Sequence, residues 1–176
     1  MMMKSIILEH IDSLIEDKYK EKHNAPLEEV GVMPPIPLDT VGVSYRVYSF
    51  DRKYTKEDKS DRLIPFFKQI EGAQTTCDYC LIGFNNSKLY ILLIELKKGE
   101  SSVIPQLKAG EQLAKFVINT INRMYDKHLN PTIRYIAIRG KNILIKPTTH
   151  IKPVTYDKDN LYTFSGKTLN VRACMI

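Results

Sequence analysis

Residues 75–97 read TTCDYCLIGFNNSKLYILLIELK, and this stretch decides how the chain folds. Two runs of β-forming residues, 75–84 and 88–97, flank Asn85-Asn86-Ser87, whose side chains tolerate turn conformations, so the pattern predicts a β-hairpin. The second run is apolar on both faces, as expected of a strand buried inside a sheet. Apart from Lys88 beside the turn, three charges interrupt this apolar sequence: Asp78 in the first arm, Glu95 and Lys97 at the end of the second. Packing gives no reason for them, because a buried charge is costly unless it is paired or ligated.

Working outward, residues 3–22 place Ile6, Ile7, His10, Ile11, Leu14 and Ile15 at helical spacing, which predicts an amphipathic first helix. A proline-rich irregular connection follows over 24–40, then a strand over Val41 to Phe50 and a charged, exposed loop over 51–62. Residues 63–71 are ambiguous, with Pro65 set in an apolar run. Beyond the hairpin, Lys98-Gly99-Glu100-Ser101-Ser102 ends the strand and a long helix starts at Pro105. Its apolar stripe is Gly110, Leu113, Ala114, Val117, Ile121, Met124 and Tyr125, and Pro131 marks its end. Thr132 to Ile138 and Asn142 to Lys146 predict two more strands, joined by Arg139-Gly140-Lys141. The order α, β, β, β, α, β, β predicts an α/β domain with a mixed central sheet flanked by helices. One domain spans 1–176 in this reading, with a core over about 3–146 and a basic, weakly patterned extension over 147–176.

Composition agrees with one folded domain. The chain has 176 residues, 43% of them apolar, which supports a core and excludes a disordered tail. The longest apolar run, Leu89 to Ile94, falls far short of the ~20 residues that cross a bilayer. Met1 to Lys4 leads into Glu9, Asp12 and Glu16 instead of an apolar leader core, so no signal peptide is read. Three cysteines, an odd number, argue against a disulfide framework, and a cytoplasmic protein is expected. Cys77-x-x-Cys80 has no second pair to complete a zinc site, and as neighbours in a strand the two thiols are expected on opposite layers. No Gly-x-Ser-x-Gly elbow and no glycine-rich phosphate loop is present.

The net charge is +6, and its distribution is uneven: residues 1–122 carry 16 Lys/Arg against 17 Asp/Glu, and residues 123–176 carry 10 against 3. A basic C-terminal third favours a polyanionic partner, since each phosphate contact releases a counterion. Nucleic acid, DNA before RNA, is the expected partner, with Lys98, Lys108, Lys115, Arg139 and Lys141 as candidate contacts.

Glu95 and Lys97 emerge on one face of their strand, two residues apart. An acid two residues before a lysine occurs four times in the chain, but only this instance lies in a buried strand. With residue 86 as the pivot of the hairpin, Asp78 faces position 94, beside Glu95. Two converging carboxylates repel unless a cation lies between them. A hard oxygen set with few protein donors suits Mg²⁺, with Mn²⁺ as a substitute, and such an ion keeps waters and takes phosphate oxygens. Lys97 beside it is placed to orient water or offset charge on a phosphate.

Asp78, the 17-residue step to Glu95, Lys97, and a helix opening after Gly99 together resemble the PD-(D/E)xK nuclease superfamily. The resemblance covers roughly residues 3–140 and implies an αβββαβ core of restriction-endonuclease-like type. It also implies a Mg²⁺-dependent phosphodiesterase acting on DNA or RNA, plausible in a prokaryotic or phage defence setting. By this resemblance Asp78 and Glu95 are metal ligands and Lys97 is the catalytic lysine. Gln112-Leu-Ala-Lys-Phe116 is similar to the Gln-x-x-x-Tyr found on the following helix of many members, with Phe for Tyr. The sequence departs from the pattern at Cys77, where the signature has proline. Many members also carry a third acid on the first helix, for which Glu9 and Glu16 are both candidates; Glu71 is nearer in sequence but outside that helix. With one active site per chain, cutting both strands of a duplex calls for a homodimer or a partner protein. The alternative reading is an inactive nuclease-fold subunit that binds nucleic acid within a larger complex.

Overall fold

The computed structural model describes residues 2–29, 31, 33–50, 64, 68, 70, 72–140 and 152–176. In chain order the elements are α1 (Met2–Leu14), β1 (Leu38–Asp39), β2 (Val43–Tyr48), β3 (Tyr79–Asn85), β4 (Lys88–Lys97), α2 (Ile104–Tyr125), β5 (Thr132–Arg139), β6 (Leu161–Phe164) and β7 (Leu169–Asn170). β2 to β6 form one sheet in the order β2-β3-β4-β5-β6. β2, β3 and β4 are antiparallel neighbours, whereas β5 runs parallel to β4 and β6 parallel to β5. The fold is α/β with a mixed sheet, as the sequence predicts.

The predicted hairpin is β3–β4. Asn85 pairs with Lys88 across Asn86-Ser87, and Asn86 takes the left-handed conformation (φ 53°) that asparagine tolerates better than most residues. β4 is the centre of the molecule, and both its faces are buried. Leu89, Ile91 and Leu93 join the core beneath the helices, while Tyr90, Leu92, Ile94 and Leu96 join the core on the other side.

Those two cores are covered differently: the helices that the sequence predicts to flank the sheet lie on one face of it. α1 and α2 share one face, contributing Ile7, Leu8 and Ile11 from the first and Leu107, Ala114 and Ile121 from the second. The other face is closed by Leu27 and Ile36 of the proline-rich segment and by Leu169, Val171, Cys174 and Met175 near the C-terminus. That C-terminal segment is therefore part of the packing: β6 extends the sheet, β7 pairs in parallel with β1, and Asn85 Nδ2 donates to the Met175 carbonyl at 2.9 Å.

α1 is shorter than the predicted 3–22. At Glu16 the backbone becomes extended (ψ 146°), and the chain then lies along the edge of β2, where Glu21 N–H donates to the Val47 carbonyl and Ser49 N–H to the Tyr19 carbonyl. Satisfying the edge strand outweighs continuing the helix. Among the described residues, no helix is long and apolar enough to cross a membrane. The predicted loop at 51–62, the predicted strand at 142–146, Glu71 and Lys141 lie outside the described residues.

Candidate active site

In an antiparallel hairpin the start of the first arm lies beside the end of the second. Tyr79 pairs with Ile94, and one further step brings Asp78 opposite Glu95. This corrects the sequence register by one residue, which matters because side chains alternate faces. Opposite position 94, Asp78 would share the face of Ile94; opposite 95, it shares the face of Glu95 and Lys97, beneath the helices.

The two acids are held together through the backbone. Asp78 N–H donates to Glu95 Oε2 at 3.3 Å, and Leu96 N–H donates to Asp78 Oδ2 at 2.6 Å. Each strand end thus fixes the carboxylate carried by the other. Glu95 is only 5% exposed, Asp78 and Lys97 are half-buried, and Lys97 makes no ion pair among the described residues. Charge-assisted bonds of this kind are worth about 1.5–3 kcal/mol each, offsetting part of the cost of keeping a carboxylate out of water.

All three residues line a cleft of about 560 Å³. Gln74, Thr75 and Thr76 reach it from the segment entering β3, Gln106 from the first turn of α2, Glu29 from the proline-rich segment, and Lys98 from the bend after β4. Two polar atoms of these lining residues, Thr76 Oγ1 and Gln106 Oε1, are buried with no hydrogen-bond partner among the described residues. Orphaned polar atoms are costly in a native interior, and beside a cleft they mark places where a ligand or its water completes the bonding. Among the described residues no three His, Cys, Asp or Glu side chains gather closely enough to hold a metal ion unaided.

The structure brings together Asp78, Glu95, Lys97 and Lys98. It separates them from Gln112, which is exposed on the outer face of α2 together with Phe116. Gln112 lies six residues beyond Gln106, about 9 Å further along the helix axis and about 120° around it. Gln106 occupies the position that Gln112 was expected to take. Its signal was present in the sequence: a helix that leaves the end of an active strand keeps only its first turn beside that end.

Glu9 and Glu16 do not line the cleft either. Glu9 is exposed on α1 and accepts a hydrogen bond from Ser5 at 2.7 Å, and Glu16 is exposed beside Lys18 at 3.3 Å. The buried stripe of α1 is Ile7, Leu8 and Ile11, so Glu9 points away from the sheet, and Glu16 lies beyond the end of the helix. Glu29 is the third acid at the cleft, and it comes from a segment without periodicity, where nothing in the sequence singled it out.

Lys108 and Lys115 are exposed on α2, and Lys115 is paired with Glu111 at 2.5 Å. The Arg139 guanidinium donates to the carbonyls of Gly99 and Ser101, the second at 3.2 Å, so its role here is to hold the bend that carries Lys98. Gly99 makes that bend with φ 88°, a conformation costly for any residue with a side chain.

The three cysteines are free, buried thiols. Cys77 and Cys80 both enter the core beneath the helices, not opposite layers: Cys77 lies two residues before β3, beyond the Asp78 hydrogen bonds to Glu95 and Leu96 that continue the pairing. Burial pushes the Cys77 thiol well above its ordinary range, and Cys80 and the carboxylates of Glu95 and Asp78 add to the shift. A thiol held protonated in this way is not a nucleophile.

No protein-family model, curated protein or solved structure matches this chain.

Proposed function

We propose that this protein is a Mg²⁺-dependent nuclease of PD-(D/E)xK type that hydrolyses phosphodiester bonds of DNA, with RNA as a second possible substrate. The observation that carries the reading is the reciprocal backbone clip between Asp78 and Glu95, which sets two carboxylates side by side in a cleft shared with Lys97. The order of helix, three antiparallel strands, helix and parallel strand agrees with the αβββαβ core that the resemblance implies.

Mg²⁺ suits the donor set. It takes one or two carboxylates and retains waters and substrate oxygens, so a third protein ligand is not required. Asp78 and Glu95 would hold it, with Glu29 across the cleft and with Thr76 Oγ1 and Gln106 Oε1 available to waters around it. Once bound, the ion supplies Lewis-acid polarisation of the phosphate and a lowered pKa for bound water. Lys97 presents its ammonium where negative charge grows on the phosphate, and the burial of Glu95 strengthens every electrostatic contact at that end of the cleft. Lys98 meets the neighbouring part of the substrate backbone.

The test is cleavage of labelled single- and double-stranded DNA and RNA by the wild type, Glu95→Gln and Lys97→Met, with Mg²⁺, Mn²⁺ or EDTA. Cleavage that needs the ion and falls by about 10²-fold or more in either variant is expected, the scale of losing one charge-stabilising group. Cutting in EDTA, or equal cutting by the variants, refutes the assignment.

A further inference from the structure

β4, β5 and β6 run parallel, so their carboxyl ends emerge along one edge of the sheet. Three depressions follow that edge, each sharing residues with the next. The cleft of Asp78 and Glu95 shares Lys98 with a second depression of about 430 Å³ over the ends of β4 to β6. The second shares Arg139 and Gly140 with a third of about 300 Å³, lined also by Lys167 from the turn between β6 and β7. Lining charges change sign along this path: Glu29, Asp78 and Glu95 outnumber Lys97 and Lys98 at the start, Glu100 stands against Lys98 and Arg139 in the second depression, and Arg139 and Lys167 stand without an acid in the third. Lys98 and Lys167 are exposed, and neither makes an ion pair among the described residues.

We propose that this edge is a track for one nucleic-acid backbone, running from the cleft over the ends of β4, β5 and β6, with Lys97, Lys98 and Lys167 meeting successive phosphates. It rests on the nuclease reading for its starting point and adds the direction and length of the bound strand. Neighbouring strands lie ~4.8 Å apart, so β4 to β6 spans about 10 Å, or about three nucleotide steps at ~3.4 Å each along one strand. Carboxyl ends of parallel strands are also where open α/β sheets admit ligands. Arg139 is a positioning residue: its guanidinium is spent on the Gly99 and Ser101 carbonyls, and it acts on the substrate through the bend that carries Lys98.

The experiment measures binding, not cleavage, so that its result is independent of catalysis. Fluorescence anisotropy of a labelled single-stranded oligonucleotide is followed from 50 to 200 mM salt in EDTA, with duplex DNA and single-stranded RNA as parallel arms. Three phosphate contacts give a log–log salt slope of about −2 for a single strand, an affinity loss of about 20-fold over that range. Lys98→Gln and Lys167→Gln each lower the slope by about 0.7, and the double variant loses only about 2–3-fold over the same range. Lys127→Gln, at the far end of the 22-residue α2 and about 30 Å from the cleft, leaves the slope unchanged. Arg139→Gln weakens binding in the wild type and adds nothing in the Lys98→Gln background.

Absence of binding overturns the track, as does an unaltered slope in the double variant or an equal loss from Lys127→Gln. Displacement by polyglutamate as readily as by unlabelled oligonucleotide overturns nucleic acid as the partner. Additive losses from Arg139→Gln and Lys98→Gln overturn the positioning role. Binding with the expected slopes but no cleavage in Mg²⁺ upholds the track and removes the nuclease reading.

Discussion

Gly110 is the point at which α2 comes down onto the segment that carries Asp78, and replacing it with alanine tests that contact directly. A Cβ at position 110 would overlap Cys77 Sγ and lie 3.4 Å from Cys77 Cβ and 3.5 Å from its backbone nitrogen. Two opposing terms set the outcome. Alanine in mid-helix is favoured over glycine by about 1 kcal/mol, and extra volume in a packed core costs about 1–3 kcal/mol. Because Cys77 is 1% exposed and its Sγ is held by a bond to the Tyr79 carbonyl at 3.4 Å, the second term wins and Gly110→Ala destabilises by up to about 2 kcal/mol. Removing the sulfur reverses the sign. With alanine at 77 the closest remaining neighbours are at ordinary contact distance, so Gly110→Ala then stabilises by about 1 kcal/mol. The interaction energy between the two sites is therefore about 1–3 kcal/mol, read from urea unfolding of the wild type, both single variants and the double variant. The cost of Cys77→Ala itself cancels in the cycle. If Gly110→Ala has the same effect in both backgrounds, α2 does not rest on Cys77, and the placement of Gln106 at the cleft falls with it.

Gln106→Ala lowers cleavage by about 10–100-fold, the scale for residues that support a metal centre, whereas Gln112→Ala leaves it unchanged; equal effects would refute the assignment of the first turn of α2 to the site. Glu29→Gln weakens Mg²⁺ binding measured by calorimetry, while Glu9→Gln and Glu16→Gln do not, and a loss at either α1 position would return the third acid to that helix. Tyr48→Phe removes the hydroxyl that donates to Asp12 Oδ1 at 3.1 Å from a fully buried ring, and costs about 1–2 kcal/mol in urea unfolding; a neutral result would mean that the bond contributes nothing. Alkali destabilises the fold: burial pushes the Cys80 and Cys174 thiols up to about 12 from 9.0, so the unfolded chain releases their protons first. Raised folded values mean stability that is complete below pH ~9 and lost as the pH climbs toward ~12, at about 1.4 kcal/mol per pH unit for each thiol. A urea midpoint constant from pH 8 to 11 would refute it.

The elements most legible in the sequence are those with a strong repeating pattern. β4 announced itself by being apolar on both faces, and its neighbours β3 and β5 by β-forming runs beside clear turn residues. Asp78, Glu95 and Lys97 were visible for the opposite reason, as charges that broke such a pattern. Glu29 and the buried C-terminal residues Val171, Cys174 and Met175 lay in segments with neither pattern nor break. Their burial depends on which gap in the sheet surface each one fills, and no local period encodes that. Gln112 has the spacing to Phe116 of a Gln-x-x-x-Tyr pattern but lies outside the cleft, because only the first turn of α2, with Gln106, stands beside the strand end.

The register of the hairpin links these observations. A two-residue loop at Asn86-Ser87 puts Asp78 opposite Glu95, whereas a loop longer by one residue would leave Asp78 on the face of Ile94, among apolar side chains. The turn is therefore a determinant of the site although it lies at the other end of the two strands, about 25 Å away at ~3.3 Å per residue. Inserting one residue after Asn86 tests this dependence. Tertiary packing on both faces of β4 resists a slip, so the insertion is absorbed as a bulge near the loop if stability and cleavage both survive. If the register shifts instead, the folded protein loses cleavage and Mg²⁺ binding together, because Asp78 N–H no longer reaches Glu95 Oε2. Loss of cleavage with Mg²⁺ binding retained would refute the claim that the hairpin register assembles the metal site.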